Sequence, residues 1–259
     1  MPRANRQFLP GYVWHITHRC HKKEFLLKFL RDRQRWRHWL FEARKRYRLC
    51  VLNYTVTSNH IHLLVSDRGN GEIAKSLQLV AGRTAQEFNQ RKGRKGAFWE
   101  DRYHATAVDT EEYLSRCMTY LDLNMVRAGV VRHPSEWSTG GYGEIQNPPA
   151  RYSVIDTSTL LELFGFSNNV DLQRACREWV DEALAAAQLM RDPLWSESLA
   201  VGRPEFVDEV KAGLGTRATH RKSTESDGAF VLREPASRYR PHSEGEMAVL
   251  RGNNGFPLE

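Results

Sequence analysis

Residues 49–57 and 59–66 are two short runs rich in β-branched, aromatic and aliphatic side chains, joined at the polar turn Thr57-Ser58-Asn59. They predict an antiparallel strand pair. In the second run Ile61, Leu63 and Val65 alternate with His60, His62 and Leu64, so the two sets project from opposite faces of the strand. A run this apolar belongs at the centre of a sheet, and the flanking sequence must supply what covers it.

It does so on both sides. From about Glu24 to Arg48 the apolar positions Leu26, Phe29, Leu30, Trp36, Leu40, Ala43 and Tyr47 follow the helical period, with Arg31, Arg35, Arg44, Lys45 and Arg48 on the other side. A second amphipathic stretch covers about 71–91, with Ile73, Leu77, Val80, Ala81, Thr84 and Phe88 as its stripe. Residues 11–18 read as a strand before the first helix. Residues 98–108 read as another, entered through the basic loop Arg91-Lys92-Gly93-Arg94-Lys95-Gly96.

The resulting order, strand, helix, strand, strand, helix, strand, predicts an α+β fold: a ferredoxin-like split βαβ with a central antiparallel sheet. An appended helix is expected from Asp109, its carboxylate capping the first turn with Glu112 three residues on, to Gly129. This defines a predicted unit over 1–148. Residues 149–215 read as a small helical accessory region, and 216–259, rich in Ser, Arg, Gly, Pro and Glu without periodicity, as a disordered tail.

No apolar run approaches the roughly 18 residues that span a bilayer, and residues 1–6 lack a secretory signal's apolar stretch, so a cytoplasmic protein without membrane association is expected. Cys20, Cys50, Cys117 and Cys176 have no short spacing and read as reduced, buried thiols. Residues 1–150 carry 25 basic against 14 acidic side chains, a net +11, whereas the remainder carries 13 against 17, a net −4. A polyanionic partner is therefore expected on the first half.

His60 and His62 share one strand face, close enough to hold one cation through imidazole nitrogens. Tyr120 and Asn124 lie one helical turn apart and share a face. Read alone, the histidines fit a structural pair better than metal ligands, and Tyr120 fits a core-boundary ring better than a nucleophile.

Three motifs in order narrow the choice: Ser58-Asn59-His60-Ile61-His62-Leu63-Leu64-Val65, then Phe98-Trp99-Glu100-Asp101-Arg102-Tyr103-His104-Ala105, then Tyr113-Leu114 with Tyr120 through Gly129. Together they resemble the single-tyrosine transposases of the HUH superfamily, in particular the REP-associated tyrosine transposases of bacteria, over roughly residues 8–140. The resemblance implies that the tyrosine helix lies across the open face of the sheet. It implies Tyr120 as the nucleophile toward a single-stranded DNA phosphodiester, leaving a 5′-phosphotyrosine link and a free 3′-hydroxyl. His60, His62 and Asn124 are implied as the ligands of Mg2+ or Mn2+.

Single-stranded DNA with hairpin-forming repeats is the implied partner, and monomer and homodimer both stay open. Where relatives read Asn-Pro-Val-Arg-Ala-Gly, this chain has Met125 in place of the proline. Arg44, Lys45, Arg48, Arg91, Lys92, Arg94, Lys95 and Arg102 are the candidate DNA contacts, with Trp99, Tyr103 and His104 as possible base-stacking partners. Two other readings are a silent DNA- or RNA-binding module of the same fold and a two-histidine phosphoesterase for RNA ends. The latter would use His15-Ile16-Thr17 and His60-Ile61-His62, though the second element lacks its hydroxyl residue.

Overall fold

The computed structural model describes residues 9–186, 192–218, 220–226 and 228–233. The predicted strand pair is β2 (Cys50–Val56) and β3 (His60–Ser66). β1 (Val13–Arg19) pairs antiparallel with β3 and, on its other edge, with β4 (His104–Val108). The order β2-β3-β1-β4 is the ferredoxin-like arrangement implied by the sequence. α1 (Leu30–Tyr47) and α2 (Glu72–Lys92) cross over between strands and pack on each other.

α1 starts later than its apolar stripe, whereas α2 contains the whole of its own. The Glu24–Phe29 segment enters as turns, and Gly71 begins α2 with φ 67°. At the other end of α2, Gly93 takes the left-handed conformation that its missing Cβ allows, and its N–H closes the helix on Asn89 and Gln90 carbonyls.

Cross-strand partners share a face, so the register sorts the sheet's two sides. Ile61 and Leu63 of β3 and Ile16 of β1 are all buried on one side. The other side carries a polar row: Asn53 and Thr55 of β2, His60 and His62 of β3, His15 and Thr17 of β1, and His104 and Thr106 of β4. α3 (Glu112–Asp122) covers this polar row. Thr55 Oγ1 donates to the Leu121 carbonyl at 2.9 Å and Asn53 Nδ2 donates to Asp122 Oδ1 at 3.0 Å, which pins the end of α3 to β2.

The single helix expected over 109–129 is in fact two. It breaks at Leu123 and resumes as α4 (Asn124–Arg127). Asp109 does not cap it either: its carboxylate accepts from Thr110 N and from Arg203 N, Nε and Nη2. A distant arginine wins because its guanidinium offers two parallel, charge-assisted bonds.

α5 (Gly141–Gln146), α6 (Thr157–Phe164), α7 (Asn169–Ala185) and α8 (Leu194–Glu197) follow. Two expectations fail beyond them. The accessory region is not purely helical: β5 (Ala200–Gly202) pairs parallel with β4, and after α9 (Pro204–Leu214) the chain returns to the sheet. The expected tail begins too early as well. β6 (Lys222–Ser226) and β7 (Ala229–Arg233) complete a seven-stranded sheet in the order β2-β3-β1-β4-β5-β7-β6.

Polar β6 hides this in sequence, since none of its residues is buried while Ala229, Val231 and Leu232 of β7 are. Residues 234–259 lie outside the described residues. Core residues before and after position 148 form one continuous cluster. No described helix is long and apolar enough to cross a membrane, and all four cysteines are buried and free.

Candidate active site

The polar row opens into a cavity of about 550 Å³ at the ends of β1 and β3, walled by α3, α4, residues 100–104 and α8. Its lining brings together Tyr120, His60, His62, Asn124 and Arg102, and adds Arg19, Arg127 and Glu197. Arg44, Lys45, Arg48, Arg91, Lys92, Arg94 and Lys95 do not line it.

Several of those cations are held elsewhere. Arg44 donates to the Ser153 carbonyl, Arg91 pairs with Asp32, and Arg94 donates to Asn89 Oδ1 and the Ala97 carbonyl. Trp99 is likewise engaged: its indole donates to Ala81 O and its ring stacks on His18 at 4.2 Å. His104 Nε2 donates to the Ser198 carbonyl at 2.8 Å.

Tyr120 is 8% exposed. Its ring stands edge-on to His62 at 5.8 Å, and the Arg127 guanidinium lies 4.1 Å from its centroid. Arg127 Nη2 also donates to the Tyr120 carbonyl. The cation is thus placed where a negative charge on the phenol oxygen or on a bound phosphate would be favoured. The break at Leu123 still leaves Asn124 facing the same cavity, with its Nδ2 donating to His62 Nε2 at 2.9 Å.

The histidines are set by acceptors. The Asn59 amide nitrogen donates to the Lys23 carbonyl, so its Oδ1, 2.7 Å from His60 Nδ1, accepts from that nitrogen. His60 Nδ1 then carries a hydrogen, and in the neutral ring the lone pair is left on Nε2. His62 is held well below the ordinary histidine range by burial, then by the neighbouring His60, His15 and Arg127. Burial also lowers His15 to about 3. Neutral imidazoles are what a metal ion requires.

Among the described residues no group of three or more His, Cys, Asp or Glu side chains converges on a metal site. The available donors are two imidazole nitrogens and one amide, a set that fits a divalent ion once phosphate oxygens complete the shell. Sequence reasoning missed Arg19 and Arg127 as cavity residues, and His15 as a neighbour of His62. The strand register relates His15 and His62 diagonally, but that register is a tertiary fact.

Asp122, two residues after Tyr120, is buried, which raises its carboxyl to about 7 against the opposing pull of the Asn53 amide and Arg127. Unfolded, it titrates near 4. Its contribution to stability is therefore full below about pH 4 and is lost as pH rises through about 7. Asp122→Asn, which keeps an acceptor for Asn53, is expected to raise stability at pH 8 by about 2–4 kcal/mol and to flatten its dependence between pH 5 and 8. Thermal melts at both pH values measure this, and an unchanged slope would refute it.

Fold and cavity together place a tyrosine beside two histidines and an arginine, over a ferredoxin-like sheet. Residues 10–124 match the family model described as IS200-like transposase. Among solved structures, a REP-associated tyrosine transposase bound to a REP hairpin is similar over 60% of this chain and 94% of its own, at 18% identity and a TM-score of 0.47. A protein from Deinococcus radiodurans R1, solved as a candidate transposase, is similar over 49% of this chain and 97% of its own, at 12% identity and a TM-score of 0.33. No curated protein matches the chain in sequence.

Proposed function

We propose that this chain is a metal-dependent single-stranded DNA endonuclease and strand transferase acting on hairpin-forming repeats through a 5′-phosphotyrosine intermediate. The observation that carries this reading is the convergence of Tyr120, His60, His62, Asn124 and Arg127 on one cavity of about 550 Å³, within the range of small-ligand sites.

In the proposed reaction Tyr120 Oη attacks the phosphorus. The bond from phosphorus to the 3′-oxygen breaks, and the proton lost by the phenol ends on the departing 3′-hydroxyl. Arg127, stacked on the tyrosine, holds the ring and offsets developing charge, and Arg19 and Arg102 on the cavity wall hold the flanking phosphates. Joining is the reverse, with a different 3′-hydroxyl as the attacking group.

His60 and His62 would hold Mg2+ or Mn2+ through Nε2, and a half-turn of the Asn124 amide would present its oxygen beside them. A bound divalent ion would polarise the phosphoryl group and neutralise its charge. Two nitrogen ligands favour Mn2+ over Mg2+. The phosphoesterase reading loses support because His15 is fully buried, bonded to a backbone carbonyl and to His62, and does not line the cavity.

The test is incubation with labelled hairpin-containing single-stranded DNA and Mn2+, followed by denaturing electrophoresis and peptide mapping. A covalent adduct on Tyr120 is expected, and its absence with several hairpin substrates would sink the reading. His60→Ala and His62→Ala are each expected to cut adduct formation by at least about 100-fold, with partial recovery at raised Mn2+. Adduct yields in either variant equal to wild type would remove the metal from the mechanism.

A further inference from the structure

We propose that His15 is a positioning residue that fixes His62 as its Nδ1–H tautomer, anchored by the carbonyl of Trp195, which lies beyond the segment matched by the transposase family. This rests on the reading of His62 as a metal ligand given above.

Two hydrogen bonds in series make the case. His15 Nδ1 lies 2.9 Å from Trp195 O, and a carbonyl can only accept, so His15 Nδ1 carries the hydrogen. His15 is fully buried, and a neutral imidazole has a single N–H, so its Nε2 is a bare acceptor. That Nε2 lies 2.9 Å from His62 Nδ1, which must therefore donate. The lone pair of His62 is left on Nε2, facing the cavity.

An independent contact agrees. The Asn124 amide nitrogen donates to His62 Nε2 at 2.9 Å, which requires an acceptor there. The rings of His15 and His62 stack at 11°, so the relay fixes the plane of His62 as well as its proton. In the other tautomer Nε2 would carry hydrogen and could not bind a cation.

The anchor is itself clamped. Thr106 Oγ1 lies within bonding distance of both the Trp195 and Ser198 carbonyls, at 3.3 and 2.6 Å, and His104 Nε2 donates to Ser198 O. The turn of chain around α8 is therefore fastened to β1 and β4 by three side chains of the polar row. This gives the region after Pro148 a function: it supplies the fixed end of the relay.

The test uses the full chain with 15N-labelled histidine and no metal. His62 is assigned by loss of its signals in His62→Gln, and its tautomer is read from two-bond proton–nitrogen correlations. Manganese affinity is measured separately by titration with Mn2+ alone. Wild type is expected to show His62 protonated on Nδ1, whereas His62 protonated on Nε2 would overturn the proposal without recourse to any variant.

His15→Leu fills the space but accepts no hydrogen bond, so His62 should become a tautomer mixture and Mn2+ affinity should fall about 10- to 100-fold. His15→Gln, whose amide oxygen can reach His62 Nδ1, should recover part of both. A folded His15→Leu protein whose His62 tautomer and Mn2+ affinity both match wild type would also overturn it. If wild type binds no Mn2+ yet His15→Leu shifts the tautomer, the metal reading fails and the relay stands.

Discussion

Tyr120→Phe is expected to abolish the covalent DNA adduct and to lower cleavage by at least about 10⁴-fold, the scale seen when a nucleophile is removed. Only the hydroxyl is lost. The ring keeps its contacts with Arg127, His62 and Trp195, so stability should change by no more than about 1 kcal/mol. Affinity for single-stranded DNA, which rests on phosphate contacts, should stay within about threefold and fall steeply with salt in both proteins.

Tyr113 sits on the same helix as Tyr120, two turns earlier, and helical spacing alone does not dismiss it. Neither it nor Tyr103 lines the cavity, and Tyr103 stands edge-on to His18. Peptide mapping of the wild-type adduct therefore carries the same weight as the variant, and a link at Tyr113 or Tyr103 would refute the assignment.

The second large effect is expected from truncation. A chain ending at Pro148 keeps the segment matched by the transposase family and every side chain assigned to the reaction, yet it is expected neither to melt cooperatively nor to form the adduct. Removing the rest strips β5 from the edge of β4 and α7 from the side of α3. That uncovers part of the surface now burying Val108, Leu114 and Cys117. Each large side chain re-exposed costs about 1.5–3 kcal/mol, so a few exhaust the 5–15 kcal/mol that typically separates folded from unfolded.

The Trp195 carbonyl is lost as well. A point substitution probes the β4–β5 pairing: a Cβ at Gly202 would lie 2.4 Å from the Asp109 Cβ, so Gly202→Val should push β5 off β4 and lower the melting temperature. Circular dichroism melts and the adduct assay read both proteins. A 1–148 fragment that melts cooperatively and cleaves like the full chain would show that the second half is an appendage.

The first four strands, two crossover helices and their order were legible because each carries a strong local signal. Strand alternation around Ile61, Leu63 and Val65 and helical stripes such as Ile73, Leu77 and Val80 are written in short windows of sequence. Element ends were less legible, since Asp109 and Leu123 are governed by Arg203 and by the docking of α3 on β2. β5 to β7 were not legible. Three residues of Ala200–Gly202 are too few to show a period, and Lys222–Ser226 is polar on both sides because it lies at a sheet edge.

The candidate site divides in the same way. Sequence by itself determined which reactive groups exist and that His60 with His62, and Tyr120 with Asn124, share faces, because strand and helix periods are local geometry. Only the tertiary structure decided that the two pairs meet, that Arg127 rather than the basic loop stands over the tyrosine, and that His15 reaches His62. Those contacts depend on strand register and on a carbonyl 180 residues along the chain from His15, and no short stretch of sequence encodes either.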